Sequence, residues 1–241
     1  MFLIIQHLCM IDLRLNHIIV WSFSLDREFT DQDIHLLDKE EQAHVERISR
    51  PLQKKYFIIS HGTLRKILAL YLKAEPAQIT IASNAHGKPY CLDNPKLMFN
   101  LTHSENKALL AVGYQYPLGV DLEKLSQRSY LELAERWFSL EEYAYLQRLH
   151  EEELPLEFFK VWTQKEAYVK ALGIGIAYGL QNFTVPLGSV EAEPIQDTTR
   201  TDPFLSQWSV PWLGYMAALC YHPSIQNIEH RVWYEPEIES R

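Results

Sequence analysis

The sequence lacks the features that stabilise an exported protein or anchor one in a membrane. Its 241 residues contain only three cysteines, Cys9, Cys91 and Cys220, which lie far apart and show no paired metal-ligand spacing. Widely separated cysteines in odd number are typical of reduced thiols, so we expect a cytoplasmic location. The apolar run at residues 1–5 is too short to span a bilayer and follows no basic segment. We therefore expect neither a signal peptide nor a membrane partner.

Positive charge is also scarce. The chain has 23 Lys and Arg against 31 Asp and Glu, a formal net charge of −8. Nucleic-acid binding depends on Lys and Arg that neutralise phosphates, so this composition argues against a nucleic-acid partner. A small anionic ligand could still bind to a local cluster of basic residues.

Several catalytic motifs are absent. The sequence has no Walker phosphate loop, no H-E-x-x-H zinc motif and no G-x-S-x-G nucleophile elbow. The glycine-rich stretch at 173–179 does not have the spacing G-x-G-x-x-G, and it follows a predicted helix instead of a strand. We interpret it as a connector.

The residues that are present predict a globular α+β (α/β) protein with two similar halves. Hydrophobic residues make up 47% of the chain and charged residues 22%, which is ordinary for a globular protein. An order of strand, helices and strands occurs once before residue 116 and again after 117. We therefore predict an extension at 1–16, an N-terminal half at 17–116 and a C-terminal half at 117–241. Strands are predicted at 17–25, 79–82, 97–101, 108–113, 117–124, 182–186, 208–210, 215–221 and 231–234, and helices at 30–48, 51–73, 130–150 with a break after Ser139, and 155–172.

The last of these helices has charged residues on or beside its apolar face. At about 100° per residue, Lys165 falls inside the apolar arc, Glu166 lies near one edge of it, and Lys170 lies just beyond that edge. Charges that face a core need partners, because an unpaired buried charge is costly. The helix therefore carries an internal ion-pair network or forms the wall of a site.

The strand at 117–124 places two carboxylates side by side. Alternate residues of a strand share a face, so Asp121 and Glu123 lie together with Gly119, which leaves room beside them. Adjacent carboxylates repel unless a cation or water separates them, and Mg²⁺ prefers oxygen ligands. The alternative is an edge strand that shows its polar face to water. If the two halves pack together, these acids lie at the seam, where sites often form.

Four blocks in order give the chain a family resemblance: Gly-Lys-Pro at 87–89, Phe-Asn-Leu-Thr-His-Ser at 99–104, Gly-Val-Asp-Leu-Glu at 119–123 and Trp-Thr-Gln-Lys-Glu-Ala-Tyr-Val-Lys at 162–170. Together they resemble the 4′-phosphopantetheinyl transferases of the surfactin-synthetase-activating type, over about residues 20–223. The resemblance implies a monomer of two pseudo-symmetric halves, each a small, mostly antiparallel sheet with packed helices, with coenzyme A at the seam. It also implies transfer of the phosphopantetheine arm to a serine of an apo acyl or peptidyl carrier protein, with release of adenosine 3′,5′-bisphosphate.

The same resemblance implies roles for individual residues. Asp121, Glu123 and Glu166 would hold Mg²⁺, with Mn²⁺ as an alternative. The base for the serine proton would be Glu166 or a metal-linked water. Lys170 and His103 would also be catalytic, by neutralising charge on the phosphates. Contacts to coenzyme A and its phosphates would come from Lys88, Pro89, Thr102, His103 and Lys170. Lys165 would contact coenzyme A or orient the acids.

The chain departs from the family pattern in the helix at 51–73. Many members have arginines there for the 3′-phosphate of coenzyme A, whereas this sequence has His61, with Lys55 and other basic residues nearby. We therefore expect Lys55 and His61 to supply positive charge at that end. The segment from Glu123 to Phe138 is the expected docking surface for the carrier protein.

Two other functions use the same residues. A Mg²⁺-dependent nucleotide pyrophosphatase or phosphohydrolase would employ the same acidic cluster without a carrier protein. A non-catalytic coenzyme A-binding protein would bind without turnover.

Overall fold

Two four-stranded sheets form the centre of the computed structural model, which describes residues 13–235. Most of the predicted extension at 1–16 lies outside the described residues. The strands are β1 (His17–Ser24), β2 (Ile81–Ser83), β3 (Pro89–Cys91), β4 (Leu97–Ser104), β5 (Lys107–Tyr114), β6 (Leu118–Lys124), β7 (Glu193–Pro194), β8 (Leu205–Ser209), β9 (Tyr215–Tyr221) and β10 (Asn227–Val232). The first sheet has the order β10-β1-β5-β4 and the second β6-β9-β8-β7, while β2 and β3 form a separate hairpin.

Six α-helices accompany the sheets in the described residues: α1 (Asp31–His35), α2 (Lys39–Arg47), α3 (Pro51–Leu72), α4 (Tyr130–Trp137), α5 (Leu140–Leu146) and α6 (Leu154–Leu172). The helix predicted at 30–48 is two helices, because the side chain of Asp38 accepts hydrogen bonds from the N–H groups of Glu40 and Glu41 and starts a new helix there. Ser139 starts α5 in the same way. Within residues 13–235, no helix combines the length and apolar character needed to cross a bilayer.

The sheets pack face to face, and helices cover their outer faces. Leu118, Val120 and Leu122 of β6 point into a central core shared with Ile18 and Val20 of β1. The outer face of the first sheet packs on α3, and α6 packs on the second sheet. The alternation expected for β6 is therefore observed, with its apolar face inward and its acidic face towards α6. The mixed α+β fold predicted from the sequence is confirmed.

Two further predictions differ from the structure in the type of element. Residues 102–104, expected in a loop, belong to β4, because β4 pairs with β5 along its full length to Ser104 opposite Lys107. The strand expected at 182–186 is instead a 3-10 turn (Leu180–Asn182) followed by one isolated bridge between Thr184 and Gln196.

The last strand returns to the first sheet. The division near residue 116 falls between β5 and β6, yet β10, far beyond it, pairs in parallel with β1 from His17 opposite Asn227 to Ser22 opposite Val232. All other ladders of the two sheets are antiparallel. The first sheet therefore contains strands from both ends of the described chain.

Candidate active site

Side chains of β4 join the two sheets at the seam. Asn100 Oδ1 accepts a hydrogen bond from the Val120 N–H at 2.8 Å, and Ser104 Oγ accepts one from the Lys124 N–H at 3.0 Å. These bonds satisfy backbone groups of β6 that have no strand partner on that side. The candidate site residues on β4 and β6, Thr102 and Asp121 among them, therefore lie next to each other.

Gly119 allows α6 to lie directly on β6. A Cβ atom at Gly119 would stand 2.1 Å from the carbonyl oxygen of Ala167 and 2.4 Å from the nitrogen of Ala171. Only glycine fits this approach without a backbone shift. The space expected beside the acids is therefore occupied by the α6 backbone, and this close contact carries Glu166 and Lys170 to the acidic face of β6.

Asp121 lies at the centre of the site and is almost completely buried. Its Oδ1 accepts from Lys170 Nζ at 2.5 Å and from the Thr102 hydroxyl at 3.4 Å. Lys170 Nζ also donates to Thr102 Oγ1 at 3.1 Å. The other oxygen, Oδ2, is buried and has no hydrogen-bond partner among the described residues. Asp121 therefore retains one acceptor oxygen that is free to bind a cation or a donor.

The surroundings of Glu123 and Glu166, the two glutamates beside Asp121, destabilise the charged form of each carboxyl group. Burial, followed by the charge of Asp121, raises the pKa of Glu166 to about 7, although Lys170 opposes this effect. Burial and Asp121 also raise the pKa of Glu123, against the opposing charge of Arg128, whose Nη2 lies 3.3 Å from Glu123 Oε2. A cation among these acids would relieve their mutual repulsion.

Asp121, Glu123 and Glu166 supply the carboxylate oxygens that a divalent cation prefers, but the three side chains are not arranged around a common point. Across residues 13–235, no group of three His, Cys, Asp or Glu side chains is arranged to hold a metal ion. Lys170 Nζ contacts Oδ1 of Asp121, while Oδ2 is open. The hard oxygen donors and the unpaired oxygen fit Mg²⁺.

Basic side chains lie close to Thr102, since His103 follows it on β4 and Lys170 donates to its hydroxyl group. His103 is exposed, yet protein surrounds its ring on one side, and this desolvation lowers its pKa, followed by the nearby charges of His61 and Lys170. His61 stacks on Phe57 with 3.9 Å between ring centroids, and its Nδ1 lies 2.8 Å from Glu41 Oε1. His103, His61 and Lys170 therefore lie near one another, with Lys170 paired with Asp121 and His61 in contact with Glu41.

Two other basic residues of α3 have partners of their own. Lys55 Nζ lies 2.8 Å from Glu28 Oε1, so it is engaged in an ion pair. Arg65 is completely buried and binds Glu41 and Asp38. Arg65 therefore supports the helix from inside and does not face a ligand.

Lys165 does not reach the acids. It is completely buried on the side of α6 away from β6, where Nζ binds the carbonyl oxygens of Leu180 and Phe183 and the Glu142 carboxylate, each at 2.7 Å. The expectation that Lys165 contacts coenzyme A or orients the acids is corrected accordingly. The two interpretations of the helix thus hold together, since one side carries an internal ion pair and another forms the wall of the site.

Lys88 and Pro89 lie at the seam. Lys88 Nζ donates to the carbonyl oxygens of Leu118 and Ala171, both at 3.0 Å, and burial lowers its pKa to about 8. Pro89 begins β3. The ammonium group of Lys88 is thus directed into the protein, between β6 and α6.

Sequence reasoning assigned no role to several residues that shape the site. Asn100, Arg128 and Glu142 contact β6, Glu123 and Lys165 respectively. Only Glu142 had a local signal, because Ser139 and Glu142 have the spacing of a capping box. The contacts of the other two depend on how distant segments pack together.

Comparison with known proteins finds relatives that belong to one family. The model of the 4′-phosphopantetheinyl transferase superfamily matches residues 117–220, which run from β6 through α6 to β9. The 4′-phosphopantetheinyl transferase HetI of Nostoc sp. is 40% identical over 183 residues, which cover 73% of this chain and 77% of HetI. The 4′-phosphopantetheinyl transferase ffp of Bacillus subtilis is 29% identical over 199 residues, covering 81% of this chain and 87% of its own. The transferase Sfp of Bacillus subtilis is 26% identical over 213 residues, covering 88% and 94%.

Proposed function

This chain belongs to the 4′-phosphopantetheinyl transferase superfamily, and we propose that its reaction takes place where α6 crosses β6. It transfers the phosphopantetheine arm of coenzyme A to a carrier protein. The observation that supports this location is the convergence of Lys170 and Thr102 on Asp121, beside two glutamates with raised pKa values.

The bond changes define what the site must do. The serine hydroxyl oxygen of the carrier protein attacks the phosphorus that bears the pantetheine arm. The bond from that phosphorus to the bridging oxygen of the pyrophosphate breaks, and adenosine 3′,5′-bisphosphate leaves with the electron pair. Phosphoryl transfer of this kind depends mainly on positioning and on neutralisation of charge.

We propose that Glu166 is the base that accepts the proton of the serine hydroxyl, directly or through a water molecule. Burial and the neighbouring carboxylates raise the pKa of Glu166 in the metal-free protein, and a bound cation would lower it again. The base role therefore depends on the placement of Glu166 beside the serine hydroxyl. Lys170 lies one helical turn further along α6 and neutralises charge on the transferred phosphoryl group.

The same acids are our proposed metal ligands. Asp121, Glu123 and Glu166 would hold Mg²⁺, or Mn²⁺, through their carboxylate oxygens, and the open Oδ2 of Asp121 supports this assignment. When bound, the ion supplies positive charge against the pyrophosphate.

Coenzyme A would be held by the basic side of the site. Thr102, His103 and Lys170 are proposed to bind its phosphates, and His61 lies close enough to His103 to extend this side of the site. Lys55 contributes only long-range charge, because Glu28 is its direct partner. Pro89 would contact the nucleotide end with the surrounding main chain.

The carrier protein would dock beside the acids, on the segment from Glu123 to Phe138. Leu131 is exposed on α4, and Leu140, just beyond the segment, is 88% exposed. The Arg136 guanidinium lies 4.9 Å from the centroid of the Trp137 ring, so the same surface combines apolar and basic groups. We further propose a cytoplasmic monomer that modifies an apo acyl or peptidyl carrier protein.

Intact mass spectrometry tests the proposed function. An apo acyl carrier protein incubated with this protein, coenzyme A and Mg²⁺ should gain the mass of one phosphopantetheine arm, and EDTA should abolish the gain. A variant of the carrier protein with its modified serine changed to alanine is the control. Hydrolysis of coenzyme A without modification of several carriers would contradict the transferase assignment and support the pyrophosphatase.

A further inference from the structure

The turn between β2 and β3 reaches across the seam and binds the end of α6. Asn84 Nδ2 donates to the carbonyl oxygen of Gly173 at 2.8 Å, and Lys88 Nζ donates to that of Ala171 at 3.0 Å. The last carbonyl groups of a helix have no partners within the helix and carry partial negative charge. A lysine and an amide N–H are therefore favourable partners for them, although both come from the N-terminal half of the chain.

Lys88 also holds the first residue of β6. The same Nζ atom donates to the Leu118 carbonyl oxygen at 3.0 Å. Leu118 stands three residues before Asp121, and Ala171 directly follows Lys170. One ammonium group thus links the strand that carries Asp121 to the helix that carries Glu166 and Lys170.

The surrounding turn holds Lys88 in this position. Asn84 Oδ1 accepts from the N–H groups of His86 and Lys88, both at 2.9 Å, and the Asn84 N–H donates to the Lys88 carbonyl oxygen at 2.9 Å. Gly173 has a φ of +67°, and a Cβ atom there would lie 2.8 Å from Lys88 Cδ. The glycine that ends α6 therefore also makes space for the stem of the lysine.

We propose that Lys88 is a positioning residue, which pins β6 to α6 and so sets the spacing between Asp121 and the pair Glu166 and Lys170. This inference rests on the proposed transferase function. It differs from the role expected from the sequence, in which Lys88 binds the nucleotide end of coenzyme A. The ammonium group of this half-buried lysine is directed at two main-chain oxygen atoms, so its hydrogen bonds lie within the protein.

Steady-state kinetics of Lys88→Met and Lys88→Arg distinguish the two roles. Methionine keeps much of the apolar stem and removes the donor, whereas arginine keeps donors and charge. For a positioning residue, we expect kcat of Lys88→Met to fall roughly 10- to 100-fold with KM for coenzyme A within about twofold of wild type, because small displacements of reacting groups are costly. Lys88→Arg should recover at least part of kcat. Lys96→Met, which removes a lysine from an exposed position of the same half, should behave as wild type.

The affinity for coenzyme A, measured by calorimetry in EDTA, gives an independent readout. It should be unchanged in Lys88→Met if the lysine positions β6 and α6. A raised KM and weakened affinity with wild-type kcat would overturn the proposal in favour of direct binding. Wild-type kinetics in Lys88→Met would overturn it as well. Inactivity of the wild-type protein would instead count against the transferase function itself.

A fall in kcat caused by unfolding must be distinguished from a fall caused by displacement of Asp121, Glu166 or Lys170. The kcat values are therefore compared at a temperature where urea titration shows each variant to be more than 95% folded. If Lys88→Met does not fold, Asn84→Ala is the second variant, because it keeps the lysine side chain but removes the bond to Gly173 and the two bonds by which Asn84 Oδ1 holds the turn around Lys88. A lower kcat with unchanged KM in that variant supports the proposal that the turn and Lys88 position β6 and α6. Wild-type kinetics in that variant contradict the proposal.

Discussion

Asp121 has two oxygen atoms in different environments. Oδ1 is bound by Lys170 and Thr102, whereas Oδ2 is buried without a partner in the described part of the chain. A buried carboxylate oxygen without a donor is costly, and such groups are retained where they have a chemical task. The same charge is also a cause of the raised pKa of Glu166.

Asp121→Asn should therefore affect activity far more than stability. We expect kcat to fall at least about 100-fold, because charge stabilisation at the reacting groups is lost, while the melting temperature changes little. The matched control is Glu40→Gln, which neutralises an exposed acid on α2. Near-normal carrier modification by Asp121→Asn, measured by intact mass, would contradict the site assignment.

Lys88 should leave a signature in the pH dependence of stability. Its pKa is lowered from 10.5 to about 8 in the folded protein, so between these values the unfolded chain binds more protons. Stability therefore rises with pH through this window, and the contribution is complete only above about pH 10.5. Relative to Lys88→Met, the wild-type free energy of unfolding should increase between pH 8 and 10.5 by up to about 3 kcal/mol.

Urea titrations of both proteins at pH 7.5, 9 and 10 measure this difference, and other titrating groups largely cancel in the comparison. A stability difference independent of pH would show that Lys88 titrates normally. Among residues 13–235, the Cys220 thiol acts on Lys88 in the opposite direction to burial and raises the lysine pKa, and burial raises the pKa of this completely buried thiol.

For individual residues, the sequence predicts the placement of the acidic side chains better than the contacts of the lysines. Strict alternation along β6 places Asp121 and Glu123 on one face whatever packs above them. The helical arc of α6 placed Lys165 inside the apolar face and Lys170 just beyond its edge, but it could not show which of the two meets Asp121. Their different roles depend on Glu142 and on the loop after α6, which meet Lys165 only in the folded protein.

At the scale of elements, the site depends on the close approach of α6 to β6. Gly119 is the position where the helix backbone comes nearest to the strand. The sequence showed a glycine beside two acids but not what filled the space, because a missing side chain accommodates a ligand, a water or a backbone equally well. The extension of β4 to Ser104 was missed for a similar reason, since its polar end is paired with β5 yet faces the site.

Gly119→Ala should separate these two elements. The added Cβ would meet backbone atoms at 2.1 and 2.4 Å, so the helix must shift. We expect a loss of about 1–3 kcal/mol in the free energy of unfolding, as for other overpacked sites, together with a large fall in kcat.

Gly62→Ala provides the matched control for this substitution. The nearest atom to a Cβ at Gly62 is 3.7 Å away, and the residue lies inside α3. Alanine should therefore stabilise the protein by about 0.5–1 kcal/mol. An unchanged stability and kcat in Gly119→Ala would show that the contact between α6 and β6 is looser than described.

At the scale of the whole molecule, the two sheets are joined by side chains where a continuous ladder is missing. Asn100 is 6% exposed and satisfies the Val120 N–H of the other sheet. Neither the repeated element order nor the sequence blocks predicted this contact, because it depends on how the halves are placed against each other. What the sequence did predict was that Asp121 and Glu123 lie at the seam.

Asn100→Leu should weaken the packing of the two sheets against each other and so lower the free energy of unfolding. It leaves the Val120 N–H buried without an acceptor, and we expect a loss of about 1–3 kcal/mol. Ser104→Ala, at the more exposed end of the seam, should cost less than about 0.5 kcal/mol. Urea titrations followed by circular dichroism and tryptophan fluorescence would measure both, and equal effects of the two substitutions would contradict a special role for Asn100.

The return of β10 to pair with β1 affects how the protein can be made. β1 emerges from the ribosome before β2 to β9, and its partner β10 emerges after all of them. One edge of β1 therefore stays unpaired until β10 has been synthesised. A nascent chain halted after residue 116 would expose that edge to other chains, so we expect the separated N-terminal half to aggregate and the first sheet to be completed only after β10 has emerged.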